Sequence, residues 1–213
     1  MTLMSNDEQQ PEGSGNSKRQ TFAVRHVILG SDDRVSWSEL KKIISGHLEA
    51  HPGKALLLLA PGIELPSDSE ASLQLLLAQA RPGDVFTALS NANADLNPFA
   101  GMTSDPAGVP DPVALVSLLG TGEMHQAHRL PDHLVLLPAE SLKLLQPELS
   151  RQARSLEELL PEKSRILMSD RIFVHDENLP LDQAPGLEPH EDTRPAAWGY
   201  LNNRLDQCTS DPE

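Results

Sequence analysis

A chain of 213 residues is long enough for one domain of ordinary size with an apolar core and polar flanks. Its 31 acidic and 17 basic residues give a formal charge of −14, which repels phosphate backbones and anionic headgroups and argues against nucleic acid or a membrane surface as partner. Aromatics are only 3% of the residues, so the core must come from Leu, Ile, Val and Ala, and the single cysteine, Cys208, can form no internal disulfide and has no second thiol for a metal site.

Residues 1–20 are polar and cannot bury enough apolar surface to offset the entropy of ordering, so a disordered leader is expected there. They hold no apolar stretch of the length a signal peptide needs. No run in the chain approaches the roughly 20 apolar residues of a membrane span, and a cytoplasmic location is expected. FAVRHVILG (22–30) has the β-branched residues and glycine stop of a strand. Ser36 with Glu39 forms a capping box, and Leu40, Ile43, Ile44 and Leu48 recur at helical spacing, which predicts a helix over 36–51 ended by Pro52-Gly53.

ALLLLA (55–60) does not alternate, as expected of a strand buried on both faces. A second capping box, Ser67 with Glu70, opens a helix over 67–80 through Leu73, Leu76, Leu77 and Ala80, and Pro82-Gly83 stops it before a short strand over 85–89. The order strand, helix, strand, helix, strand predicts a mostly parallel sheet with right-handed crossovers and helices on both faces. Residues 90–110, rich in Asn, Asp, Gly and Pro, form a long connection beyond the carboxyl end of a strand, where ligands bind in open α/β sheets.

Asp111 followed by Pro112 starts a helix over 113–119. A strand over 133–137 and a helical run over 139–160, breaking near Pro147, come next, and 165–168 and 172–175 read as a closing pair of short strands. Beyond Asp176 the chain turns acidic and Pro-rich, which divides the sequence into a leader (1–20), one α/β domain (21–180) and a tail (181–213).

Two further constellations invite chemistry. In HQAHRLPDH, His125, His128 and His133 with Asp132 suggest zinc, but Pro131 disrupts any single helix carrying all three, and no fixed ligand set follows from the spacing. Gly120-Thr121-Gly122 lacks the Lys and Ser or Thr of a phosphate-binding loop and reads as a helix C-cap. No Gly-x-Ser-x-Gly elbow is present, and Cys208 has no neighbouring histidine, so neither hydrolase type is supported.

Three blocks carry a resemblance: ALLLLAPGIELPSDSEASLQLLL, FTALSNANADLNPFAG and RILMSDRIFVHDENLPL. In order and approximate spacing, over residues 54–181, they resemble the family 2 glycosyltransferases of the GT-A type, particularly bacterial members that build surface polysaccharides. The resemblance implies a truncated GT-A-like α/β fold and sugar transfer from a nucleotide sugar with a divalent cation, manganese or magnesium. The departures are specific. Ala60 and Gly62 stand where the family carries metal carboxylates, which leaves Glu64 and, at the end of the late strand, His175 as metal or diphosphate ligands. Ser90 and Asn91 would line the substrate pocket, and no catalytic base is assigned, because Glu157-Glu158 reads as surface charge. The family's long nucleotide-binding front is reduced to residues 21–54. The chain is therefore expected to be degenerate alone or to complete its site with a partner glycosyltransferase. The alternative is a non-catalytic binding or partner module of the same fold.

Overall fold

The computed structural model describes residues 22–26, 34–61, 63, 65, 69–91, 96–99, 111–127, 129–131, 133–176 and 179. The expected leader and tail, and the Ser67 cap, lie outside them. In chain order the elements are β1 (Phe22–His26), α1 (Arg34–Ala50), β2 (Ala55–Leu59), α2 (Ser69–Gln79), β3 (Asp84–Ser90), α3 (Pro112–Leu119), β4 (Met124–Gln126), β5 (Leu134–Leu137), α4 (Ala139–Leu145) and β6 (Arg165–Val174). Short 3-10 turns at Pro147–Ser150 and Glu157–Leu159 replace the rest of the helical run expected to 160. A proline cannot donate to the preceding turn, so the helix stops ahead of Pro147.

The protein is an α/β protein built on a six-stranded open sheet in the order β1-β2-β5-β3-β6-β4. The expected mostly parallel sheet is corrected to a mixed one. β1 with β2 and β3 with β6 are parallel, whereas β2 with β5, β3 with β5 and β4 with β6 are antiparallel. The first three strands do run in one direction, but β2 and β3 never pair. β5 runs between them in the opposite direction: the chain turns back between β3 and β4, and β4 and β5, both antiparallel to the common direction of β3 and β6, run the same way. A four-residue run of LVLL buried on both faces carries no mark of its direction.

Both faces of the sheet are covered. On one, Leu57, Leu59, Phe86 and Leu136 gather with Leu73, Leu76 and Leu77 of α2. On the other, Leu56, Leu58, Val135 and Leu137 gather with Leu40 and Ile44 of α1 and Leu142 and Leu145 of α4. β1, β2 and β3 step across the sheet in one direction while α1 and α2 take opposite faces, so the two crossovers have opposite hands. The expectation of right-handed connections holds for only one of them. A third cluster joins Val116 and Leu119 of α3 to Leu89, Met168 and Phe173.

β6 is one strand of ten residues rather than the expected pair. Its register against β3 jumps from Ala88↔Ser169 to Leu89↔Phe173, so Asp170, Arg171 and Ile172 form a bulge. No helix among the described residues is long and apolar enough to cross a membrane.

Candidate functional site

β2, β3 and β6 point the same way, and their carboxyl ends line one edge of the sheet. β5 starts at that edge with His133, which is 1% exposed. Its carbonyl accepts from Ala60 N at 2.9 Å, and its Nε2 donates to Ala88 O at 2.8 Å, joining the ends of β2 and β3. Ala60 presents only a methyl group where the resemblance places a carboxylate.

The parallel register sets Ser90 opposite Val174 and so brings His175 beside the Ser90-Asn91 turn. Asn91 is fully buried. Both hydrogens of its side-chain amide are engaged, donating to Asp176 O at 2.9 Å and Leu179 O at 3.0 Å, and its Oδ1 accepts from Asp176 N at 2.8 Å. The side chain thus clamps the chain that leaves β6. The His175 ring stacks on Phe173, with centroids 6.1 Å apart, and Phe173 meets Phe99 edge-on at 5.3 Å. Phe99 is held in turn by a hydrogen bond from its N–H to Asn97 Oδ1 at 3.0 Å.

Of the four residues expected at the site, Ser90, Asn91 and His175 are brought together, and Glu64 lies outside the described residues. His175 is therefore the only one of the two expected metal ligands with a described position. Among the described residues, no group of three or more His, Cys, Asp or Glu is placed to hold a metal ion. His125 and His133 are not neighbours: His125 is on the edge strand β4 and His133 begins β5, with β3 and β6 between them. His128 and Asp132 lie outside the described residues.

Sequence reasoning did not single out His133 as a link between strand ends, nor Asn97 and Phe99 as parts of this edge. Their partners are main-chain groups and an aromatic ring distant in sequence. The one available signal was their position in the loop after β3 and immediately before an apolar run.

A second polar cluster lies at the β6 bulge. Gly120 is the C-cap of α3, as expected, with its N–H donating to Val116 O. The following residues do more. Thr121 N, Thr121 Oγ1 and Gly122 N all donate to the Asp170 carboxylate at 2.7 Å, forming a nest of successive donors. A Cβ at Gly120 would stand 2.4 Å from Asp170 O, and Gly122 has φ +80°, so each position requires glycine for a separate reason. His125 Nε2 stands 3.9 Å from Asp170 Oδ2.

No family model matches this chain, and no curated protein and no solved structure matches it.

Proposed function

We propose that this chain is a glycosyltransferase-like protein of bacterial surface-polysaccharide synthesis that holds a nucleotide sugar at the carboxyl edge of its sheet and is degenerate as a catalyst in isolation. The observation that carries the reading is the juxtaposition of the Ser90-Asn91 turn and His175 at the carboxyl ends of two adjacent parallel strands. Open α/β sheets bind ligands in that position. His175 is half-buried and can donate a hydrogen bond to a diphosphate oxygen or offer a lone pair to a cation. A divalent cation, manganese or magnesium, would neutralise the leaving diphosphate. Without a carboxylate at Ala60, the transition state loses several kcal/mol of charge stabilisation and turnover falls by several powers of ten.

The second reading, a non-catalytic partner of an active transferase in the cytoplasm, is favoured by Asn91. With both amide hydrogens engaged by main-chain carbonyls, the Asn91 side chain has no donor left for a substrate. The experiment is thermal denaturation of the full chain with uridine or guanosine diphosphate plus manganese, paired with turnover over a panel of nucleotide sugars. Binding at a hundredfold excess over Kd stabilises by about 2.7 kcal/mol, a shift readily measured. Stabilisation without turnover is expected. Rapid turnover contradicts degeneracy, and no stabilisation by any nucleotide diphosphate contradicts the site.

A further inference from the structure

At the other end of α1 lies a pair of histidines that the carboxyl edge does not use. His47 is in the last turn of the helix and His51 directly follows it, with His51 N donating to His47 O at 2.7 Å, so the pair keeps the helical i, i+4 relation. That spacing sets side chains on one face with Cβ atoms about 5–6 Å apart. The two rings stand 5.5 Å apart between centroids and are tilted by 59°.

The tautomer of His47 follows from its partner. Its Nε2 lies 3.0 Å from Lys54 O, and a carbonyl oxygen only accepts, so Nε2 carries a hydrogen, and Nδ1 is the ring nitrogen whose lone pair a metal ion would take. His47 is 5% exposed, and its Nδ1 is buried with no hydrogen-bond partner among the described residues. A buried acceptor left without a donor is costly, and native structures rarely keep one without a reason.

We propose that His47 and His51 form a two-imidazole site for a borderline divalent transition-metal ion of the zinc, nickel or copper class. Nδ1 of His47 and one ring nitrogen of His51 are the ligands, and water fills the remaining positions. Metal-bound histidines characteristically donate their other ring N–H to a carboxylate or backbone carbonyl, which fixes the tautomer, and Lys54 O supplies that acceptor. Imidazole suits zinc, copper and nickel, whereas magnesium and calcium select oxygen ligands. His51 is only half-buried, so the site is open to solvent on its side. The i, i+4 geometry exists only in the folded helix, so the ion staples the end of α1 to the turn that enters β2. This site lies at the amino end of β2, away from the carboxyl edge, and is independent of the nucleotide site.

The test uses the full chain at neutral pH, titrated with zinc chloride and separately with nickel chloride, and read by calorimetry and by nitrogen NMR of labelled histidines. One equivalent is expected to bind, to raise the melting temperature and to move the His47 Nδ1 resonance. His51→Ala, at a half-buried position, is expected to weaken that binding by about tenfold or more while leaving the metal-free melt nearly unchanged. Equal affinity in His51→Ala, a His47 Nδ1 resonance unmoved by saturating zinc, or a metal-free spectrum with the hydrogen on Nδ1 would each overturn the proposal. The NMR readout on the unaltered chain decides the matter even if a variant folds poorly.

Discussion

At the amino ends of β3 and β6, Arg165 donates from Nε and Nη2 to the two oxygens of Asp84 at 2.8 Å, and Arg81 N adds a third bond at 2.9 Å. At the carboxyl ends of the same two strands, a neutral amide, Asn91, grips the main chain at 176 and 179. Asp84 and Arg165 are register partners, so the amino edge fixes how the strands align. The carboxyl edge instead fixes where the following loop goes. Side chains bonded to each other make a closed fastening, whereas a side chain bonded to loop backbone holds a segment that a ligand can meet and reshape. On the proposed reading a nucleotide meets the carboxyl edge, while the bidentate Asp84–Arg165 pair closes the amino edge.

The largest expected effect is an asymmetry at the amino edge. Arg165→Met leaves the Asp84 carboxylate, 3% exposed, without its cation and is expected to cost about 3–5 kcal/mol in urea denaturation. Asp84→Ala leaves Arg165, which is 42% exposed and can rehydrate, so its expected cost is smaller, about 1.5–3 kcal/mol. Equal costs would show that the pair acts only through packing.

Between the two edges, Gly120→Ala drives a Cβ against Asp170 O and opens the nest around that carboxylate, with an expected loss of about 1–3 kcal/mol in the same measurement. The smallest global effect is expected at the carboxyl edge. Asn91→Ala frees half-buried main-chain groups that water can reach, for about 1–2 kcal/mol. Hydrogen exchange should nonetheless show a clear loss of protection at the Asp176 amide. A loss as large as that of Arg165→Met would erase the contrast between the edges.

Much of this architecture was legible because local chemistry fixed it. Asp111 caps α3 through a bond from Ala114 N to its Oδ1 at 2.9 Å, with Pro112 at the first turn, as the dipeptide predicted. The α1 capping box was less exact: α1 starts at Arg34, so Ser36 is inside the helix rather than at its cap. Strand direction was not legible, since Leu134–Leu137 is buried throughout and has no alternation to read. β4 is three residues, MHQ, with no β-branched member, and went unseen. The polar Ser169-Asp170-Arg171 step made β6 look like two strands, when it is a bulge whose carboxylate is satisfied by a loop 48 and 49 residues earlier. The nearness of Asn91 to His175 rests on a parallel pairing, and the acceptors that hold Asn91 are backbone groups that no side-chain pattern announces.

The most direct measurement is a map of backbone amide shifts in the full chain as uridine or guanosine diphosphate is added with manganese replaced by diamagnetic magnesium. Shifts are expected to cluster at Ser90, Asn91, His175 and Asp176, with Asp84 and Arg165 unmoved. Shifts centred on the amino edge, or none anywhere at saturating nucleotide, would contradict a nucleotide site at the carboxyl ends of β3 and β6.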